Sequence, residues 1–160
     1  MEVGKSVRRV DAFDKATGRA KYCDDLCDRS ALVARVLHST IANGVVKSID
    51  TSEAEKLPGV AAILTAYNTP ETHYMQAGQG NPEPSPHDRR LFNRKVRHVG
   101  DRVAGIIART PEIADQAAAL IKVEYEPQGA VYTVEEAMAE GAPVLHEEHP
   151  DNILARMDLR

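Results

Sequence analysis

The 160-residue sequence has few of the residues that build several classes of site. It contains two cysteines and no tryptophan, and aromatic residues make up 4% of the chain. Two cysteines cannot form a disulfide framework, and so few aromatic rings cannot build the stacking platforms that bind single-stranded nucleic acid. The net charge of −4 lacks the basic excess that neutralises phosphates, so we expect no nucleic-acid partner.

Long apolar segments are missing as well. No run approaches the roughly 20 residues that cross a bilayer, which predicts no membrane span. The opening residues, MEVGKSVRRVDA, lack the apolar region of a secretory signal, so we expect a cytoplasmic protein. In that compartment Cys23 and Cys27 are expected to be free, inert thiols, because a zinc or iron–sulfur site needs more ligands than this C-x3-C pair supplies.

Familiar catalytic motifs are also incomplete. His146 and His149 are three residues apart and precede Pro150, whereas a metalloprotease helix needs a separation of four. We interpret this segment as a solvated linker. The Gly78-Gln79-Gly80 stretch has no third glycine and predicts a flexible loop rather than a dinucleotide-binding turn. The residues alone therefore predict no catalytic, cofactor-binding or metal-binding side chain.

The first half of the chain contains short alternating segments that are typical of strands. Residues 31–39 and 44–52 predict two strands, which we expect to pair as a hairpin through a tight turn at Asn43-Gly44. The spacing of Ser52 and Glu55 predicts a capping box that starts a short helix. A continuous apolar run follows at residues 60–66 and predicts a buried strand.

The second half contains clearer helix signals. Thr110 and Pro111 predict the start of a helix over 112–122, which is followed by a strand that ends at Pro127. A further short helix is expected to end at Gly141. Several adjacent strands with few helices favour an α+β domain over a doubly wound sheet.

These patterns predict three regions. Residues 1–30 are expected to form an extended N-terminal arm, and residues 31–140 an α+β domain. Within that domain, the proline-rich segment 67–92 predicts a long loop. Residues 141–160 are expected to form an extended linker.

Three blocks of the sequence resemble one family. The block VRRVDAFDKATGRAKYCDDL resembles the opening of the molybdopterin-binding subunit of xanthine dehydrogenase-type molybdenum hydroxylases. The positions shared in this block are Arg9, Asp11, Lys15, Thr17, Gly18, Ala20, Tyr22, Asp24 and Asp25. LPGVAAILTAYNTP and LFNRKVRHVGDRVAGIIARTPEIADQAAALIKVEYEP match the next two blocks in the same order. Gln128-Gly129 departs from the Leu-Pro of many relatives.

The resemblance implies an α/β hammerhead domain with a mixed sheet and two or three short helices. It also implies an oxidoreductase that hydroxylates a heteroaromatic compound or an aldehyde with water as the oxygen source. Molybdopterin-bound molybdenum would lie in the full subunit, and iron–sulfur clusters and FAD on other domains or subunits. The partners would be the catalytic lobes of the same subunit and the iron–sulfur and flavin subunits. The chain would then be a structural fragment, inactive by itself; the alternative is a stand-alone protein-interaction module.

Two groups of residues are candidate sites under this resemblance. The first would dock the N-terminal arm on neighbouring domains through paired charges and an aromatic anchor; it consists of Arg8, Arg9, Asp11, Lys15, Arg19 and Tyr22. The second is Leu91-Phe92, which could gate substrate access at the end of the long loop. The alternatives are a frayed terminus for the first group and simple anchoring of the loop on the core for the second.

Overall fold

The computed structural model describes residues 3–75 and 87–156. The chain divides into two compact units, Met1–Ala31 and Leu32–Arg160. No helix among the described residues is both long enough and apolar enough to cross a membrane.

The first unit contains two short helices, α1 (Ala12–Ala16) and α2 (Cys23–Leu26). The end of α1 is held by the Thr17 hydroxyl, which donates to the Phe13 carbonyl at 2.8 Å. At the start of α2, the Tyr22 amide donates to the Asp25 carboxylate at 2.9 Å. The sequence predicted extended chain in this region, whereas the structure has two short helices. The two side-chain hydrogen bonds stabilise them, because they satisfy a backbone carbonyl and a backbone amide that lack partners at the ends of a short helix.

The second unit contains two three-stranded antiparallel sheets. The first sheet has the order β1-β5-β3, with β1 at Val33–His38, β3 at Val60–Thr65 and β5 at Arg102–Ala108. The second has the order β4-β2-β6, with β2 at Gly44–Asp50, β4 at Lys95–Val96 and β6 at Lys122–Pro127.

The remaining helices belong to this second unit: α3 (Ser52–Glu55), α4 (Pro111–Leu120) and α5 (Val134–Met138). Helix α4 starts as predicted, because the Thr110 hydroxyl accepts from the Ile113 amide at 3.3 Å and Pro111 occupies the first turn. Ala114 and Ala117 are fully buried and allow the helix to approach the sheet closely. The α+β class is therefore confirmed, although the strands divide between two antiparallel sheets instead of forming one mixed sheet.

Strand β5 connects two apolar cores. Ile106 is fully buried in the larger core, which lies between the first sheet, α3 and α4. Val103 is fully buried in the smaller core with Val46 and Val96 of the second sheet. Each such side chain contributes on the order of 1.5–3 kcal/mol when removed from water, so β5 is the central stabilising strand.

The predicted hairpin between β1 and β2 is wrong. Residues between the two strands are held by distant segments: the Ser39 amide donates to the Asp101 carbonyl at 2.7 Å, and the Asn43 side chain donates to the Gly129 carbonyl at 2.6 Å. These bonds direct the two strands into different sheets. Gly44 serves close packing rather than a turn, since a Cβ there would lie 2.5 Å from the Glu126 carbonyl oxygen.

The predicted capping box does not form, because the N-cap of α3 is Thr51 instead of Ser52 and its side chain caps no backbone amide. Helix α3 has Thr51 as its N-cap, and the Thr51 hydroxyl donates to the Glu55 carboxylate at 2.6 Å. The Ser52 amide donates to the Asp50 carboxylate at 3.0 Å. Asp50, which precedes the helix, thus accepts from the first backbone N–H group of α3, and Ser52 is the first residue of that helix.

Residues after α5 form turns, whereas the sequence predicted an extended linker. The Asn152 side chain organises them: its amide group donates to the carbonyls of Ala137 (2.9 Å) and Pro143 (3.0 Å), and its oxygen accepts from the Leu145 amide (3.0 Å). One asparagine therefore satisfies three backbone groups that an extended chain would leave to solvent.

Candidate functional site

The returning end of the long loop is anchored by Phe92. Its side chain is 5% exposed, and its ring lies against Gly105 of β5 so closely that a Cβ at Gly105 would be 2.6 Å from the ring Cζ. The neighbouring Leu91 is 44% exposed. Of the two residues predicted as a gate, Phe92 is therefore packed on the core, and Leu91 faces outward.

A second anchor joins the two ends of the same loop. Tyr74 and Arg89 form an antiparallel bridge, with the Tyr74 amide donating to the Arg89 carbonyl at 2.8 Å and the reverse bond at 3.1 Å. The Arg102 guanidinium of β5 donates to the Tyr74 hydroxyl at 2.6 Å. The bridge is thereby tied to the first sheet.

The buried carboxylate of Asp101 stabilises this region. Its side chain is 1% exposed and accepts from the backbone amides of Arg97 (3.1 Å) and Arg102 (3.0 Å). The Arg89 guanidinium donates to the same carboxylate at 3.4 Å. A buried charge needs such partners, because removing it from water is otherwise costly.

A polar cleft of about 240 Å³ lies next to these anchors. It is lined by His73, His87, Asp88, Arg97, His146, Glu147 and Glu148. In it, the Asp88 carboxylate is 3.4 Å from His146 Nδ1 and 3.8 Å from an Arg97 Nη atom. Arg97 Nε also donates to the Leu145 carbonyl at 3.0 Å. The cleft therefore connects the long loop, β4 and the segment after α5.

The electrostatics of this cleft favour a neutral imidazole at His146. Burial lowers the pKa of His146 below its usual value, and the positive charge of Arg97 lowers it further. The opposing effect of Asp88 is smaller than either. Neutral His146 offers one donor and one acceptor and is suited to packing rather than to binding anions.

The part of the chain that the structure describes contains no cluster of side chains that could bind a metal ion. Across residues 3–75 and 87–156, no three His, Cys, Asp or Glu side chains are grouped to hold a metal ion. Cys23 and Cys27 are free and exposed at the two ends of α2. Gly78-Gln79-Gly80 lies outside the described residues. The observed role of the cleft is to connect three segments of the chain through a hydrogen bond and ion pairs.

Three of the predicted docking residues bind one another in the first unit. The Asp11 carboxylate is 2.6 Å from both Arg9 Nε and Lys15 Nζ. These partners, Lys15 first and then Arg9, lower the pKa of Asp11 below its usual value. The ion pairs lie at the surface, where screening by solvent makes each of them weak.

The other predicted docking residues surround an aromatic ring or face solvent. The guanidinium groups of Arg8 and Arg19 lie 5.3 and 5.1 Å from the centroid of the Phe13 ring. Tyr22 is 60% exposed. The sequence prediction overlooked Phe13, although an aromatic residue between two arginines is a recognisable signal.

Sequence reasoning also missed the polar cleft. Asp88 and His146 are 58 positions apart in the sequence and show no shared motif, and His146 was interpreted as part of a solvated linker. Asp101 follows a glycine in an ordinary turn pattern, so nothing in the sequence marks it as buried. Only the return of the chain after α5 brings these residues together.

Comparison with known proteins identifies relatives over most of the chain. Residues 17–129 match the family model described as aldehyde oxidase and xanthine dehydrogenase, a/b hammerhead domain. The probable hypoxanthine oxidase XdhD of Escherichia coli K12 is 44% identical over 146 residues, which are 91% of this chain and 15% of that protein. The xanthine dehydrogenase molybdenum-binding subunit of Escherichia coli O157:H7 is 39% identical, over 86% of this chain and 19% of that subunit.

A solved structure agrees with these matches. Quinoline 2-oxidoreductase from Pseudomonas putida 86 superposes with a TM-score of 0.79 and 32% identity, over 92% of this chain and 19% of that one. The chain therefore spans less than a fifth of the length of these relatives.

Proposed function

Since the chain belongs to the family of aldehyde oxidase and xanthine dehydrogenase a/b hammerhead domains, we propose that it is a structural and assembly domain of a larger molybdenum hydroxylase. The whole enzyme would oxidise a heteroaromatic compound or an aldehyde, with water as the oxygen source, in the cytoplasm. The observation that carries the proposal is the 44% identity to a probable hypoxanthine oxidase across 91% of the chain.

In this proposal the catalytic lobes of the same subunit hold molybdopterin. The described residues of this chain do not fit a metal site, since no three potential ligands are grouped. Iron–sulfur clusters and FAD would be held by other domains or subunits and would carry electrons away from the molybdenum centre.

The domain would contribute by holding its long loop in place. Phe92, Asp101 and the Tyr74–Arg89 bridge fix the described ends of the loop on the first sheet. Exposed Leu91 would then be presented to substrate at the entrance of the enzyme. In the assembled enzyme, Leu91→Ala should change KM for bulky and small substrates by different factors and leave kcat unchanged; equal KM changes for all substrates would contradict a role in access.

The first unit would dock on neighbouring domains. Arg8 and Arg19 are the best candidates for this contact, because their guanidinium groups are held at a ring rather than at a carboxylate. Limited proteolysis tests the idea: residues 8–21 should be cut faster in the isolated chain than in the assembled enzyme. Equal cleavage rates would contradict docking.

A blot of the source cell with antibody to this chain tests the proposed function as a whole. We expect a band several-fold above 17.5 kDa that contains molybdenum by metal analysis. A band only at 17.5 kDa would refute the proposal and favour the alternative, a stand-alone protein-interaction module.

A further inference from the structure

The two sheets have edge strands that are protected to different degrees against pairing with a further strand. In the second sheet, β4 is only two residues long. The other edge of that sheet is β6, KVEYEP, which carries charged side chains and ends at Pro127. Short length, charge and proline are the usual means by which a protein prevents the addition of a strand at a sheet edge.

The β3 edge of the first sheet is protected by side chains. The Thr65 amide donates to the Asn68 Oδ1 atom at 2.7 Å, and the Asn68 side-chain amide donates to the Ile63 carbonyl at 2.9 Å. The Thr69 hydroxyl donates to the Thr65 carbonyl at 2.6 Å. At this end of β3, side chains therefore occupy the hydrogen-bonding positions of a neighbouring strand.

The β1 edge of the same sheet has free backbone groups. Ser39, which directly follows β1, is bonded on the β5 side: its amide donates to the Asp101 carbonyl at 2.7 Å, and its carbonyl accepts from the Gly100 amide at 2.9 Å. Successive residues of a strand direct their N–H and C=O groups to opposite sides. Leu37, Arg35 and Val33 therefore face β5, and the residues whose backbone groups face outward are Ala34, Val36 and His38.

Nothing in the described part of the chain covers this edge. Within residues 3–75 and 87–156, β1 pairs with β5 alone. Ala34 is exposed, and the Val36 side chain is 41% exposed. Arg35 does not protect the edge as a charge would, because its Nε atom is 3.1 Å from the Asp115 carboxylate of α4. The free donors and acceptors of β1 can therefore pair with another extended backbone.

The sheet face opposite α3 and α4 is apolar up to the same edge. Ile106 belongs to the core under the helices, so its neighbours along β5 face the other side. The residues in cross-strand rows on that side are Ala34, Ile107 and Ala62, followed by Val36, Gly105 and Leu64. A solvated face of an antiparallel sheet normally carries polar residues, so this composition favours a covered edge and face.

We propose that an extended segment from the remaining part of the same subunit adds to this edge as a strand beside β1. Its backbone pairs with the outward groups of Ala34 and Val36, and its side chains next to Val36 are apolar. Main-chain hydrogen bonds give such an added strand its affinity, and the alternate side chains give it specificity. The inference rests on the proposed function, because the strand comes from the part of the subunit outside this chain.

Two observations favour this occupant over a second copy of the chain. The chain spans 15% and 19% of the length of two relatives, so most of such a subunit is available to supply a strand. In an antiparallel pair of two overlapping β1 strands, the two Arg35 side chains would lie directly or diagonally opposite each other on one face. Like charges in these positions are destabilising.

Hydrogen exchange in two samples tests the proposal. In the 160-residue chain alone, measured by NMR, the amides of Ala34, Val36 and His38 should exchange quickly, and those of Arg35 and Leu37 should be protected by β5. In the assembled enzyme, measured by mass spectrometry, the outward amides should exchange more slowly by about tenfold or more. Equal exchange of residues 33–38 in both samples would overturn the proposal.

The same samples separate this inference from the proposed function. A large molybdenum enzyme in which the outward amides of β1 still exchange quickly would overturn strand addition alone. A chain found only at 17.5 kDa would overturn both. Sedimentation of the isolated chain as a dimer, with the amides of β1 protected as the concentration rises, would identify a second copy as the occupant and overturn the assigned one.

Matched variants of Ala34 locate the contact. Ala34→Pro removes an outward N–H group and no bond to β5, whereas the control Ala34→Val keeps that group and adds a side chain that is favoured in strands. In the isolated chain, both variants should keep the protection of Arg35 and Leu37. In the complete subunit, Ala34→Pro should lose the added protection or fail to assemble, and Ala34→Val should do neither. Equal protection of residues 35–38 in the two variant enzymes would contradict the proposed pairing.

Discussion

The contact between Phe92 and Gly105 gives a quantitative prediction for the loop anchor. Phe92→Ala removes a side chain that is 5% exposed. Truncation of a buried phenylalanine costs about 3–5 kcal/mol, through lost transfer energy and the cavity that remains. We expect the free energy of unfolding in urea to fall by this amount. In a domain of this size, the melting temperature should fall by about 10 °C or more.

A double-mutant cycle isolates the contact itself. In the parent chain, Gly105→Ala inserts a methyl group 2.6 Å from the Phe92 ring, and overpacking of this kind costs about 1–3 kcal/mol. In the Phe92→Ala background the ring is absent, so the same substitution should cost little. The coupling free energy between the two positions should therefore be about 1–3 kcal/mol.

Leu91→Ala is the matched control. Because Leu91 is 44% exposed, its truncation should lower the unfolding free energy by about 1 kcal/mol or less. Two results would refute the reasoning: a loss below about 1 kcal/mol for Phe92→Ala, or strictly additive effects in the cycle. Phe92→Leu keeps apolar volume at the site and remains measurable if the alanine variant does not fold.

Three further predictions concern the cap of α4 and the polar groups around the loop. Asp101→Ala should lower the free energy of unfolding in urea by about 3 kcal/mol, because two backbone amides and a guanidinium lose their acceptor. The control is Asp115→Ala at an exposed position, which should change the same free energy by less than about 0.5 kcal/mol. The pKa of His146, measured by NMR, should lie below its value in the unfolded chain and should rise in Arg97→Gln; an unchanged pKa in that variant would contradict the stated cause. Because the unfolded state binds the proton more readily, the contribution of His146 to the free energy of unfolding is present above the unfolded pKa near 6.5 and is lost as the pH falls through that value. Thr110→Ala should lower the unfolding free energy by about 1 kcal/mol, since the amide of the first turn of α4 loses its cap; no change in urea would show that solvent replaces it.

Local signals predicted the strands and helices whose causes are local. The cap at Thr110 and the apolar run of β3 were predicted correctly because each depends on neighbouring residues. The hairpin prediction failed at Asn43-Gly44, a pair that usually indicates a tight turn. Here the Asn43 side chain bonds to Gly129, 86 residues away, and no local rule contains that contact.

The family was predictable because three ordered blocks cover most of the chain, whereas the polar cleft was not. Asp88, Arg97 and His146 have ordinary sequence surroundings, and their contacts depend on how the chain returns after α5. The internal pairing of Asp11 with Lys15 was also missed, although the four-residue spacing is a known signal for an ion pair.

The strand order has a consequence for synthesis of the chain. β1 pairs with β5 and β2 pairs with β6, so neither early strand meets a long neighbouring strand until much later residues are made. At about 5–20 residues per second, the roughly 80 residues that separate β2 from the end of β6 take about 4–16 s to translate. During that interval the nascent polypeptide exposes the backbone edges of β1 and β2. A chaperone that covers these exposed edges during translation should therefore raise the yield of folded protein.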